Sequence, residues 1–200
     1  IYKMIIWIAS YPKSGNTWVR SFLNSLLYSI DGKANLKNLI KINQYPLRSH
    51  FKNIVKDIDN ILEISKKWTT SQDIINFDKK IKFLKTHHSL CNINSNNFTN
   101  LQNTLGVIYV VRDPRNVVTS ILNHYSKKNY HEAREFIFEE NKYMGRDLNK
   151  NKFNDNQMLT IISSWKTNYN SWKSFPKNYF LIKYENLIEN PEKEFFKLSK

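Results

Sequence analysis

Cysteine occurs once in these 200 residues, at Cys91, so no internal disulfide can form and a small secreted fold stapled by bridges is disfavoured. A reducing, cytoplasmic setting is the expectation. Long hydrophobic runs are missing too. Met4 to Ala9, the apolar stretch nearest the N-terminus, falls far short of a bilayer span and has no separate cleavage region, so it reads as a buried strand and not as an anchor or leader. No histidine–carboxylate or cysteine cluster has metal-ligand spacing, and no metal is expected. Acidic residues are scarce, 17 against 31 Lys and Arg, and the formal charge of +14 suits an anionic partner: nucleic acid, a membrane surface, or a small molecule bearing phosphate or sulfate. Lysine accounts for 25 of those 31 cations, with Asn and Ile also abundant, so A/T-rich codon usage explains the charge equally well. Composition does not choose between them.

What is present fits one globular domain spanning residues 1–200, since 40% apolar content is enough for a sizeable core. Met4–Ala9 is a strand, Ser10–Gly15 a turn-rich loop, and from Asn16 the spacing of Trp18, Phe22 and Leu26 is helical. Residues 31–80 are less regular, with helical fragments around Ile54–Ser65, and are expected to be insertion-like and acceptor-facing. Ile81–Thr86, Leu105–Val111 and Tyr179–Lys183 read as further strands. Helices are expected after Asp113-Pro114, which has N-cap and first-turn chemistry, over His131–Met144, over Met158–Trp172, and from Pro191 onward. Alternating strands and helices predict an α/β fold: a three-layer α/β/α sandwich with a mainly parallel central sheet, in which ligands collect at the carboxyl ends of the strands.

Three strand exits carry concentrated chemistry. Tyr11-Pro12-Lys13-Ser14-Gly15-Asn16-Thr17-Trp18 joins a buried strand to a helix N-terminus, where free backbone N–H groups, the helix dipole and Lys13 suit an anion. Gly15 permits close backbone approach, and the Ser14 and Thr17 hydroxyls are potential donors. A plain turn with a solvated lysine is the alternative for a lone Lys-Ser-Gly. At the second exit, Arg112 of Val-Val-Arg-Asp-Pro-Arg can grip a phosphate bidentately, and Ser120 follows on the next helix; a capped turn with a surface ion pair is the alternative there. The third exit is Lys85-Thr86-His87-His88. An imidazole is the readiest general base near neutral pH, though a lone histidine is more often a packing or capping residue. On extended backbone His87 and His88 point in opposite directions, so at most one faces a common site.

These strings resemble the sulfotransferase family. Its usual phosphosulfate loop reads Tyr-Pro-Lys-Ser-Gly-Thr-Thr-Trp, here with Asn16 replacing a threonine; its 3′-phosphate site has an Arg at a strand end and a Ser eight residues on, as Arg112 and Ser120 stand here. His87 matches the family's catalytic base after Lys-Thr. Phe180-Leu181-Ile182-Lys183-Tyr184-Glu185-Asn186-Leu187 is similar to the family's strand ending in Tyr-Glu-Asp-Leu, which makes Tyr184, with Trp18, a candidate contact for an adenine. The resemblance implies a P-loop nucleotide-kinase-like fold and transfer of a sulfuryl group from 3′-phosphoadenosine 5′-phosphosulfate (PAPS) to a small-molecule or saccharide acceptor, leaving 3′-phosphoadenosine 5′-phosphate (PAP), without a metal. It casts His87, Lys13 and Lys85 as catalytic, and Lys13, Ser14, Gly15, Asn16, Thr17, Trp18, Arg112, Ser120 and Tyr184 as donor-binding. A further Arg-Lys-Gly segment usual in the family does not occur, so a chain cut short, or a more open donor site, is expected.

Three other readings compete. A nucleotide or small-molecule kinase would need the Gly-Lys-Ser/Thr order, which the first loop lacks. A nucleic-acid-binding protein is suggested by charge alone, and no aromatic-basic stacking motif accompanies it. A donor-binding domain without activity is compatible with the missing segment. Neither acceptor nor oligomeric state is legible.

Overall fold

The computed structural model describes residues 4–33, 36–145 and 158–199. In chain order its elements are β1 (Ile5–Ser10), α1 (Asn16–Tyr28), α2 (Ile61–Ser65), α3 (Trp68–Ile75), β2 (Lys82–Thr86), β3 (Asn92–Ile93), β4 (Asn96–Asn97) and β5 (Thr104–Val111). They continue with α4 (Pro114–His124), α5 (Tyr130–Phe138), β6 (Tyr143–Met144), β7 (Thr160–Ile161), α6 (Trp165–Lys173), β8 (Tyr179–Lys183), α7 (Tyr184–Glu189) and α8 (Pro191–Leu198). The central sheet has the order β2-β1-β5-β8, with every pairing parallel. Strands β3 with β4, and β6 with β7, form two small antiparallel ribbons.

The sheet is covered on both faces, which is why its strands read as continuous apolar runs. Alternation sends Ile5, Trp7 and Ala9 of β1, with Val107 and Tyr109 of β5, to a face covered by Trp68 of α3 and Trp172 of α6. Ile8, Ile108, Val110 and Ile182 meet Val19 and Leu23 of α1 and Leu187 of α7 on the other. A third cluster, Tyr11, Val117, Ile121, Phe136 and Ile162, seats α4 and α5. The stretch expected to be insertion-like supplies Tyr45, Phe51, Ile64 and Trp68 to the core, each fully buried. Its Gln44 also forms a parallel bridge to Lys85, with Tyr45 N–H donating to Lys85 O at 2.8 Å and Lys85 N–H to Asn43 O at 2.8 Å, so it extends the sheet beyond β2.

Several helix starts follow their side chains. Asp113 Oδ1 accepts from Arg115 N at 2.9 Å and Pro114 opens α4, as its sequence predicts. Two expected helices are shorter than their periodicity. The one expected over His131–Met144 ends at Phe138, because Tyr143 and Met144 pair in register with Ile161 and Thr160. For the same reason the helix expected over Met158–Trp172 begins only at Trp165, where Ser164 Oγ accepts from Thr167 N at 3.1 Å. No helix among the described residues is long and apolar enough to cross a membrane.

Candidate active site

Parallel register brings all four strand ends to one edge. Ala9 lies beside Thr86, Ser10 beside Val110, and Val111 beside Lys183, so the residues that follow (the Tyr11–Gly15 loop, His87, Arg112 and Tyr184) leave the sheet side by side. They surround a cavity of about 640 Å³ whose wall includes Lys13, Gly15, Asn16, Thr17, Trp18, His87, Arg112, Ser120 and Tyr184. Residues more than 170 positions apart in the chain thus share one surface. His124 and Tyr125 complete that wall. His124 lies four residues beyond Ser120 on α4, the helical offset that was the signal for it, and Tyr125 follows it at the helix's C-cap.

The loop from β1 turns sharply at Lys13 (φ 67°) and Gly15 (φ 94°), the left-handed region that only glycine enters without cost. A Cβ on Gly15 would overlap the Tyr184 ring, lying 2.7 Å from Cε2. α1 starts at Asn16 with no side-chain cap and no acidic residue in its first turn, leaving its N-terminal dipole unopposed. Arg112 crosses from β5: its Nη1 donates to Lys13 O at 3.1 Å, its guanidinium carbon sits 4.4 Å from the Tyr184 ring centroid, and its buried Nε has no partner. Partial burial, then the Arg112 charge, holds the Lys13 amine below its ordinary value. An uncapped helix start, two adjacent cations and an unpartnered guanidinium N–H are a set of donors with no anion among them.

His87 stands at the other side of this cavity and also lines a second one, of about 300 Å³, with Gln44, Lys85, Tyr125, Met144, Gly145 and Thr160. Its Nδ1 is 2.8 Å from Ser10 O and 3.2 Å from Ser10 Oγ. A carbonyl only accepts, so Nδ1 carries the proton and Nε2 holds the free lone pair of the neutral ring. Burial, then Lys85, Arg20 and Lys13, keeps the ring well below the usual imidazole range against the opposing pull of Ser10 O. Its backbone is tied as well: Asn168 Nδ2 donates to His87 O at 3.0 Å and to Ile162 O at 2.9 Å, while Tyr109 OH donates to Asn168 Oδ1 at 2.7 Å. Lys85 donates to Gln44 Oε1 at 2.8 Å, and burial with the Arg20 charge pushes its amine down to about 8.

His88 points the other way, fully buried and stacked on Phe98 at 4.1 Å between centroids. Three expected site residues sit otherwise than anticipated. Ser14 is 1% exposed with its Oγ unpartnered beneath the loop, and its side chain is not part of the cavity wall. Lys85 opens onto the smaller cavity and not the larger. Asn16, expected to offer a polar side chain to a ligand, turns it inward: Nδ2 donates to Ile8 O at 3.0 Å and to Ser10 Oγ at 3.1 Å. Among the described residues no group of three or more His, Cys, Asp or Glu could hold a metal ion.

The family model described as "Sulfotransferase domain" matches residues 4–200. The chain belongs to the sulfotransferase domain family. Similar solved structures include mouse sulfotransferase SULT7A1 complexed with PAP (14% identity, TM-score 0.52), which covers 99% of this chain and 59% of that one. Another is a retinol dehydratase in complex with retinol and PAP (16% identity, TM-score 0.50), covering 96% of this chain and 57% of that one. The sulfotransferase domain from the curacin biosynthetic pathway is similar over 98% of this chain and 72% of its own (15% identity, TM-score 0.52). The chain therefore spans less than three-fifths of the first two. At these identities the likeness is one of fold: a P-loop-kinase-like α/β sheet flanked by helices. Among curated proteins none matches the sequence.

Proposed function

We propose that this sulfotransferase domain moves the sulfuryl group of PAPS to a hydroxyl acceptor, with the donor in the larger cavity and the acceptor in the smaller. The observation that carries the reading is His87, whose Nδ1 is bound to Ser10 O and whose ring lines both cavities. The neighbouring structures solved with PAP support the choice of nucleotide. The 5′-phosphosulfate binds the uncapped start of α1 and Lys13, the 3′-phosphate binds Arg112 and Ser120, and the adenine lies against Trp18 and Tyr184.

In the transfer, Nε2 of His87 takes the acceptor's hydroxyl proton as that oxygen attacks sulfur. The bond from sulfur to the phosphate oxygen breaks, the electron pair leaves with PAP, and the acceptor departs as its sulfate ester. Lys13 neutralises charge gathering on the leaving oxygen, and Lys85 the charge on the sulfuryl oxygens. Positioning and electrostatics do most of the work, as in phosphoryl transfer. Burial and then the same lysines depress the proton affinity of His87; the donor's negative charge offsets the lysines' share, so the base is stronger when the donor is in place.

Calorimetric titration with PAP tests this, beside Lys13→Ala, Arg112→Ala and an ATP–Mg²⁺ comparison. PAP binding that weakens in both variants is the expected result, with His87→Ala keeping PAP affinity while turnover falls about 100-fold or more. No PAP binding, or a preference for ATP–Mg²⁺, overturns the reading.

A further inference from the structure

The loop residue Asn16 offers a donor nothing with its side chain. Both amide protons are committed, one to Ile8 O at 3.0 Å and one to Ser10 Oγ at 3.1 Å, and Oδ1 is sealed from solvent. The opposite amide orientation would set Oδ1 against Ile8 O, two acceptors facing each other, so the chemistry fixes this one. Asn16 is 5% exposed and Ser10 is fully buried. The contacts then run on without a gap, because Ser10 Oγ lies 3.2 Å from Nδ1 of His87, whose main hydrogen bond goes to Ser10 O at 2.8 Å.

From this chain of contacts we infer that Asn16 is a positioning residue for His87, acting through Ser10, and not a ligand of the sulfate donor. Asn16 ties the start of α1 to β1 and pins the Ser10 hydroxyl where, with the Ser10 carbonyl, it shares the Nδ1 proton. That pair of acceptors keeps the proton on Nδ1 and aims the Nε2 lone pair outward. Without the amide the Ser10 hydroxyl is free to rotate and to offer its own proton to Nδ1, which, in competition with the Ser10 carbonyl, populates the other tautomer, with Nε2 protonated and unable to act as a base. A side chain in the donor loop thereby sets the state of a group on β2's exit, 71 positions later in the chain. The inference rests on His87 being the base, and its test is chosen to separate the two.

Imidazole nitrogen NMR on the whole chain, with His87 assigned by the loss of its signals in His87→Gln, reads the tautomer without turnover. The wild type should show the Nδ1–H form. In Asn16→Ala the pattern should become mixed, kcat should fall in proportion to the Nδ1–H fraction lost, about 2- to 10-fold, and PAP affinity should stay within about 3-fold of wild type, since no donor contact is lost. Ser10→Ala in the Asn16→Ala background removes the hydroxyl proton and should return the Nδ1–H form, held by the Ser10 carbonyl; Asn16→Ser, too short to reach both partners, serves if Asn16→Ala does not fold. An unchanged His87 pattern in the Asn16 variant overturns the inference. So does a PAP affinity weakened more than about 10-fold in Asn16→Ala with the imidazole signals unmoved, which would make Asn16 a donor ligand. Should the wild type bind no PAP, the proposed function fails, while the nitrogen spectra still decide the role of Asn16.

Discussion

Replacing Gly15 with alanine introduces two separable faults. The backbone there has φ 94°, and holding an L-residue in the left-handed region costs about 1–2 kcal/mol. The new methyl also falls within the Tyr184 ring, 2.7 Å from Cε2 and 3.4 Å from Cγ, and relief of such overpacking typically costs ~1–3 kcal/mol. Tyr184 cannot swing aside freely, since Arg112 lies on its face at 4.4 Å and Trp18 meets it edge-on at 6.1 Å. Together the two terms predict a loss of roughly 2–5 kcal/mol, or about 4–20 °C in melting temperature for a domain of this size. Thermal unfolding followed by circular dichroism measures the sum, and Gly15→Ala in a Tyr184→Ala background isolates the backbone part. In that background the penalty should shrink to about 1–2 kcal/mol, the ring being gone. A single variant melting within about 1 °C of wild type, or an equal penalty in both backgrounds, refutes the reasoning.

A second expectation concerns acid. His88 is fully buried with Nε2 unpartnered, and burial lowers its imidazole to about 4 against the ordinary 6.5, outweighing the bond to Ser89 O. The folded ring stays neutral where the unfolded one takes up a proton, so its contribution is intact above pH 6.5 and lost as pH falls toward 4, about 3 kcal/mol in all. Urea unfolding across that range should show the slope, and His88→Gln should flatten it; a parallel pH profile in the variant would count against the assignment. A third expectation concerns Asn168. Asn168→Ala strands His87 O, Ile162 O and the buried Tyr109 hydroxyl, and should cost about 2–4 kcal/mol in urea unfolding and lower kcat more than PAP affinity. Full stability in that variant would show that those groups find other partners.

The strands were legible because burial on two faces leaves an unmistakable trace: Ile5, Trp7 and Ile8 cannot all be apolar on a half-exposed strand. Asp113-Pro114 was legible for a local reason, since cap chemistry needs no knowledge of the rest of the fold. Tyr143 and Ile161 were not, because each continues a helical spacing and only their pairing across two distant segments makes them strands. Ser164 could have marked the true start of α6, being an N-cap residue just ahead of Trp165. Motif order placed Lys13, His87, Arg112 and Tyr184 at strand exits, and the parallel register sets them around one cavity. The inward amide of Asn16 was invisible, because a sequence names a polar side chain at a helix start without saying which carbonyl it will meet.

The four exits have a thermodynamic consequence. Lys13, His87, Arg112 and Tyr184 come from four adjacent strands, so no half-formed sheet presents the cavity, and an anion that needs all of them binds only the fully registered fold. Each tenfold excess of such a ligand over its dissociation constant then adds about 1.4 kcal/mol to the stability of the whole sheet, edge strand β2 included. Ligand occupancy and sheet integrity become one equilibrium, and the site doubles as a lock on the architecture that builds it.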